Sequence, residues 1–349
     1  MAMIYVKKMI QHHEHFSMTS IELRQQLASR AAELGFTSFG VAPADTTPDV
    51  RDHLLQWLSL GYQASMSWMT RTSEKRTDIQ KVLPGARSVI SVALNYYHPQ
   101  THNECCGELK VSRYAWGDDY HDIMGEKLAA LKTTLNELVP ASKSLTYVDT
   151  GPLMEKALAE RAGLGWIGKN ACLITRTHGS WVFLGEIITT AELPVDQPHT
   201  DFCGSCTRCL DACPTDAFPS PYVLDASKCI SYWTIEHRGD IPEHLSSHFD
   251  GWIFGCDICQ DVCPWNKFAR PSEVGEFAPA TDRLSPPAER WSALTPEQFK
   301  SEFSNSPILR TKAEGLARNI RSQAHDPLPK AIRGVRDSDP SDQATPARE

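Results

Sequence analysis

The cysteines constrain this sequence more than any other feature. Cys203-Gly-Ser-Cys206-Thr-Arg-Cys209-Leu-Asp-Ala-Cys213-Pro214 and Cys256-Asp-Ile-Cys259-Gln-Asp-Val-Cys263-Pro264 bracket a lone Cys229. Two-residue gaps let a looping backbone present successive sulfurs to adjacent corners of a cube. A proline directly after the last cysteine stops a helix from carrying that sulfur away. Residues 203–264 must therefore fold around whatever the thiols bind.

The spacing is that of a chain holding two four-iron clusters, in which the fourth cysteine of each run crosses to the other cluster. Applied here, Cys203, Cys206 and Cys209 share one [4Fe-4S] cluster with Cys263. Cys256 and Cys259 share the second with Cys213, and Cys229 supplies its fourth ligand. Two zinc knots are the alternative, because Cys-x2-Cys pairs also bind Zn²⁺. Two closely spaced runs, of four and three cysteines, each ending in Cys-Pro, favour iron. Cys105 and Cys106 read as loop spectators, and Cys172, in an apolar strand, as a small core residue.

Eleven cysteines in a chain without a secretory signal point to metal or redox chemistry rather than structural disulfides, and to the cytoplasm. No apolar run is long enough to span a bilayer. The formal charge of −8 gives no global argument for nucleic acid, although a basic face remains compatible with it.

Along the chain, residues 1–18 read as an extension carrying Lys7, Lys8 and clustered histidines. Thr19-Ser-Ile-Glu22 is a capping box that opens an amphipathic helix running to about Glu33 and stopped by Gly35. Strands are predicted at Thr37 to Ala44, Ser88 to Tyr96 and Leu145 to Val148, and helices at Val50 to Leu60, at Asp122 to Leu138 and after Pro152. Ala171 to Thr175 and Trp181 to Thr190 read as the arms of a hairpin turning at His178-Gly179. Helices are also predicted at Leu294 to Phe303 and at Ile308 to Ser322. The expected fold is a mixed α/β (α+β) core over residues 19–195, a ferredoxin-like domain with two [4Fe-4S] clusters over 196–272, a helical segment over 273–324 and a disordered tail over 325–349.

Gly163-Leu-Gly-Trp-Ile-Gly168-Lys169-Asn170 imitates a dinucleotide fingerprint. That motif needs a strand before it and a helix after it, and here the order is reversed. The segment is better read as a helix exit delivering Lys169 and Asn170 to a surface. Asp119-Tyr-His121-Asp-Ile-Met-Gly125 is one residue too long for the Asp-x-His-x-x-Gly pattern that gives histidine to cobalt, so His121 is not read as a cobalt ligand. His244 and His248, one helical turn apart, read as a solvated pair. Asp149, in Val-Asp-Thr-Gly-Pro at a strand's end, stands where α/β folds commonly place chemistry, and equally where a carboxylate caps a helix.

Residues 61–69 (Gly-Tyr-Gln-Ala-Ser-Met-Ser-Trp-Met), 112–121 (Ser-Arg-Tyr-Ala-Trp-Gly-Asp-Asp-Tyr-His), 148–156 (Val-Asp-Thr-Gly-Pro-Leu-Met-Glu-Lys) and 160–170 (Glu-Arg-Ala-Gly-Leu-Gly-Trp-Ile-Gly-Lys-Asn), with both cysteine runs, resemble the epoxyqueuosine reductase family over about residues 19–322. The resemblance implies an enzyme dependent on cobalamin and iron–sulfur clusters, with a cobalamin domain like that of reductive dehalogenases and no protein histidine on cobalt. Its implied substrate is a tRNA anticodon stem-loop carrying epoxyqueuosine, reduced to queuosine in the last step of queuosine biosynthesis.

Asp149 matches the family's proton donor. Arg71, Ser112, Tyr120, His121, Lys156, Lys169 and Asn170 lie in matching stretches as candidates for lining the corrin or the modified base. The resemblance further implies a low-potential external electron donor and a monomer without a membrane partner. A carboxyl beside a flat apolar macrocycle is expected to have a raised pKa. Lys267, Arg270, Arg310, Lys312, Arg318 and Arg321 are candidate phosphate contacts. A corrinoid reductive dehalogenase and a non-catalytic iron–sulfur carrier are the alternative functions.

Overall fold

The computed structural model describes residues 19–45, 47–102 and 109–323. The extension over 1–18, Cys105, Cys106 and the tail over 325–349 lie outside the described residues.

Helix α1 (Ser20–Glu33) starts at the expected capping box, with Thr19 and Glu22 each bonding the other's backbone N–H, and Leu23, Leu27 and Ala31 buried. Gly35 turns the chain with φ +86°, and β1 (Ser38–Pro43) follows. Next come α2 (Pro48–Ser59), the short α3 (Ser67–Arg71) and α4 (Ser73–Thr77), and β2 (Ser88–Asn95), whose eight residues are all buried. After the two-residue β3 (Lys110–Val111) come α5 (Tyr120–Leu138), β4 (Ser144–Tyr147) and α6 (Glu155–Arg161). The short β5 (Trp166–Ile167) and β6 (Leu173–Ile174) precede β7 (Val182–Thr189).

The main sheet has the order β1-β2-β7-β4 with every neighbouring pair antiparallel. The core domain is therefore α+β, with helices on both faces. Leu27, Met124, Leu128 and Leu131 from α1 and α5 pack on Val41, Ile90, Val92 and Ile187 of one face. Leu158 and Ala159 of α6 pack on the other, against Val89, Ile188 and Ala93. Each fully buried Leu or Ile contributes about 1.5–3 kcal/mol, more than helix propensity supplies, so packing holds these helices in place. Gly40 is required where β1 passes α6, because a Cβ there would stand 2.0 Å from the Ala162 carbonyl oxygen.

The expected hairpin does not form. Residues 173–174 pair with Trp166–Ile167, whereas β7 is an interior strand between β2 and β4, and the bridge from Thr175 reaches Gly179 in the presumed turn rather than the second arm. A local turn signal cannot show that a neighbouring strand is claimed by partners far away in sequence.

The cysteine runs form matched short helices, α7 (Arg208–Asp211) and α9 (Ile258–Asp261), separated by α8 (Glu243–Ser246) and β8 (Trp252–Phe254). β8 pairs in parallel with β3. The C-terminal helices α10 (Thr281–Leu284), α11 (Ala288–Ser292), α12 (Pro296–Glu302) and α13 (Lys312–Gln323) cover that pair. Trp116, Phe254, Trp291, Phe299, Phe303 and Leu316 make a second core there. The segment after residue 272 thus seals the cluster region to the 109–116 loop. The helix expected from Ile308 is broken: Pro307–Thr311 is a 3₁₀ turn, and Lys312 adopts φ +64° before α13 starts. Among the described residues no helix is long and apolar enough to cross a membrane.

Candidate functional site: two thiol quartets and the Asp149 loop

The eight run and bridge cysteines gather in the two fours that crossing predicts. Burial, then the proximity of Cys263, Cys203 and Cys206, pushes the Cys209 thiol up to about 11. Burial raises Cys256 too, and Cys229 and Cys213 act on it. Cys259 is raised by a hydrogen bond with Cys172 and by burial, with Cys256 and Cys229 also close. Thiols buried and crowded this way pay most on ionising, and a cationic iron core offsets that cost for thiolate ligands, so both quartets fit a [4Fe-4S] cluster.

Cys172 does not behave as a bland core residue. Its thiol meets Cys259, a ninth sulfur beside the second quartet that the one-dimensional spacing could not reveal.

Several expected site residues turn out to brace the cluster loops. Lys169 Nζ donates to the carbonyls of Gly204 (2.7 Å) and Cys206 (3.0 Å). Asn170 is 4% exposed rather than delivered to a surface, and its amide donates to the Cys259 carbonyl at 3.3 Å. Ser112 is 3% exposed and donates to Asp257, next to Cys256. Arg113 sits over the rings of Trp116, Trp181 and Tyr97 at 4.4, 5.0 and 5.2 Å, joining the sheet to the cluster region. Lys156 Nζ donates to the Ala171 carbonyl at 2.6 Å, and Arg71 ends α3 exposed.

A second centre forms where β4 ends. Asp149 takes φ +55°, a left-handed conformation that a non-glycine residue holds only when its surroundings impose it. Its carboxylate reaches His121 Nε2 at 3.5 Å. His121 Nδ1 lies 2.7 Å from Asp119 Oδ1, and Asp119 also caps α5 by accepting the His121 backbone N–H. Tyr120 is stacked on Phe183 at 4.2 Å and on His121 at 4.1 Å, which fixes the start of α5 against β7.

The charges distribute unexpectedly. Burial disfavours a charged His121, but its bonds to Asp119 and Asp149 overcome that and lift the imidazole to about 9. The His121 hydrogen bond, ahead of opposing burial, pulls Asp149 below the usual carboxylate range. The expected raised carboxyl pKa is thereby corrected: the Asp149 side chain is 61% exposed, so its charged neighbour outweighs desolvation. At neutral pH the pair holds one proton, and it rests on the imidazole. Both ring nitrogens face carboxylates.

Arg310 forks onto Glu236 at 2.8–3.2 Å and lies over the Trp68 ring at 5.4 Å, and its charge also acts on Asp149. Arg318 is corrected from a phosphate candidate to a brace, because its guanidinium donates to the carbonyls of Trp233, His237 and Gly239 at 2.9, 3.0 and 2.7 Å.

Two thiol quartets beside an acid–imidazole pair on an antiparallel sheet define an iron–sulfur redox enzyme. Residues 202–266 match the 4Fe-4S double cluster binding domain, and residues 76–150 match Epoxyqueuosine reductase QueG, DUF1730. The epoxyqueuosine reductase of Synechocystis sp. is 48% identical, the match covering 81% of this chain and 99% of that one. The chain belongs to the epoxyqueuosine reductase family. A crystal structure of epoxyqueuosine reductase with a tRNA-Tyr epoxyqueuosine-modified stem loop superposes with TM-score 0.81 at 32% identity, over 87% of this chain and 81% of that one. The Bacillus subtilis enzyme, in a structure whose catalytic aspartate loop is swung out of the active site, gives TM-score 0.79 at 31% identity, over 87% and 82% of the two chains.

Proposed function

We propose that this chain reduces epoxyqueuosine to queuosine in a tRNA anticodon stem-loop, with Asp149 as proton donor, two [4Fe-4S] clusters as electron path and cobalamin as the reducing cofactor. The observation that carries this reading is the Asp149–His121 pair at the open end of β4, in the chain that also gathers both thiol quartets. Opening an epoxide to an alkene consumes two electrons and two protons and releases the oxygen as water. Bound, reduced cobalamin supplies the electron-rich centre for that step.

The chain's own residues supply the rest. His121 stores a proton at neutral pH, and Asp149, reaching out from the loop, delivers it to the departing oxygen. Asp119 orients the imidazole from the opposite side. Tyr120, His121, Arg71 and Lys156 are the residues that would line the corrin or the modified base, while Ser112, Lys169 and Asn170 act through the cluster loops they hold.

Lys267, Arg270, Lys312 and Arg321 are the proposed phosphate contacts; Arg310 is held by Glu236. The domain reading keeps a catalytic core over 19–195 and a cluster domain over 196–272, with residues 273–323 as the seal between them. A small low-potential electron donor and a monomeric, cytoplasmic enzyme complete the proposal.

The test is direct. Anaerobically reconstituted protein with cobalamin and a chemical reductant is incubated with tRNA carrying epoxyqueuosine, and the nucleosides are weighed by mass spectrometry. Loss of one oxygen from the modified base is expected. An unchanged nucleoside with both clusters loaded would overturn the assignment.

A further inference from the structure

Behind the Asp149 loop lies a pair of carboxyls that the proposed reaction does not use. Glu186 occupies the middle of β7, directly opposite Ser91 of β2 and Tyr147 of β4. It is 0% exposed and faces α6. Its carboxyl meets that of Glu155 and has no other hydrogen-bond partner, and the Ser91 hydroxyl beside it has none. Glu155, the first residue of α6, is the group that acts on Glu186 most strongly after burial itself.

Glu155 looks both ways. On its outer side Oε1 accepts the Asp149 backbone N–H at 2.5 Å, a hydrogen bond that ties the backbone of this left-handed residue to α6. Three titratable groups face it: Asp149 from the loop, Glu186 from β7 and, at longer range, Arg76 from α4. The Arg76 guanidinium is committed to the Leu153 carbonyl and Thr72, so among the described residues no cation pairs with either glutamate. Two buried carboxyls without a cation cannot both ionise, and the deeper one keeps the proton.

We infer that Glu155 and Glu186 form a latch for the Asp149 loop: Glu186 backs Glu155, whose carboxyl oxygen accepts the Asp149 N–H and holds the left-handed turn. Glu155 and Glu186 are positioning residues that touch no reacting atom. Releasing the N–H removes a backbone restraint that offsets the cost of a strained non-glycine conformation, leaving the loop freer to depart from the His121 side. The B. subtilis relative with its catalytic aspartate loop swung out shows that such a loop has a second position in the family.

The latch rests on the proposed role of Asp149 only for its functional meaning. Hydrogen–deuterium exchange of the anaerobic, cluster-loaded chain tests it without turnover. Glu155→Ala is expected to speed exchange of the 148–151 amides at least about tenfold while leaving α1 and β1 unchanged, and Glu155→Gln, which keeps an acceptor, to restore part of the protection. Glu186→Gln, a neutral isostere, should preserve the slow loop, whereas Glu186→Asp, one methylene shorter, should loosen it. Asp149→Asn should keep the loop as protected as in the unaltered chain whatever its turnover, which separates the latch from the proton-donor assignment. Unchanged loop exchange in Glu155→Ala, or acceleration spread equally over α1 and β1, would overturn the inference.

Discussion

The His121 imidazole stands between two carboxylates, 2.7 Å from Asp119 through Nδ1 and 3.5 Å from Asp149 through Nε2. Asp119 is half-buried and fixed by its cap of α5, whereas Asp149 rides on an exposed loop, so the proton can leave only toward the loop. Replacing Asp149 with Asn removes the carrier and leaves the thiols untouched. Turnover is expected to fall about 10²- to 10⁴-fold, with the visible cluster spectrum retained. His121→Asn should lower turnover as well, because it removes the store. Full activity in Asp149→Asn, read from the same nucleoside masses, would contradict the role given to it.

The same groups make stability depend on pH. Glu155 rises from 4.5 to about 7, through burial and then the Asp149 charge, and His121 rises from 6.5 to about 9. In both cases the folded chain holds a proton that the unfolded chain has released, so stability falls as pH rises. Glu155 contributes the loss between 4.5 and about 7, and His121 between 6.5 and about 9. Thermal midpoints measured anaerobically should decline steadily from pH 5.5 to pH 9. Glu155→Gln should flatten the lower half of that decline and leave the upper half in place.

What the sequence could and could not show follows from the range of the interactions. The capping box at Thr19, the buried run of β2 and the crossing of the cysteines depend on neighbours a few residues apart or on a repeated spacing, and these stand where the pattern puts them. The sharing of β7 between β2 and β4, the turning of Lys169 and Asn170 toward the clusters, and the meeting of Cys172 with Cys259 arise from contacts tens of residues apart. Asp149 was placed correctly at a strand's end, but its charge state depends on His121, 28 positions earlier. Glu186 gave the clearest missed signal, a lone acid inside an apolar strand (Val182–Thr189).

Cys229 belongs to neither run, so its role rests on the second quartet alone, where it acts on Cys256 and Cys259. Cys229→Ala is expected to lower the iron content of the reconstituted chain from about eight to about four atoms, leaving one four-iron cluster. Cys172→Ala should retain all of it, since four other thiols already complete that quartet. Metal analysis with electron paramagnetic resonance of the reduced protein distinguishes the two.

Gly40 offers a test of the packing that positions the Asp149 loop. An added methyl would meet the Ala162 carbonyl oxygen at 2.0 Å and Leu164 Cδ1 at 2.8 Å, both on the chain that leaves α6. Neither backbone can yield without shifting α6, which carries Glu155. Gly40→Ala should cost about 1–3 kcal/mol in denaturant unfolding. Gly125→Ala, on α5 with nothing within 4 Å of the added methyl, should stabilise slightly through helix propensity.

The basic residues separate into those spent on the fold and those left for a polyanion. Arg318 holds three backbone carbonyls and Arg310 a glutamate, so reversing either would damage the structure before it tested binding. Lys312 and Arg321 bracket α13 and are both exposed. If they meet phosphates, Lys312→Glu with Arg321→Glu should weaken stem-loop binding and reduce the slope of log affinity against log salt by about 1–2, with the folded-state spectrum unchanged. A salt slope identical to that of the unaltered chain would place the tRNA elsewhere, on the side of Lys267 and Arg270.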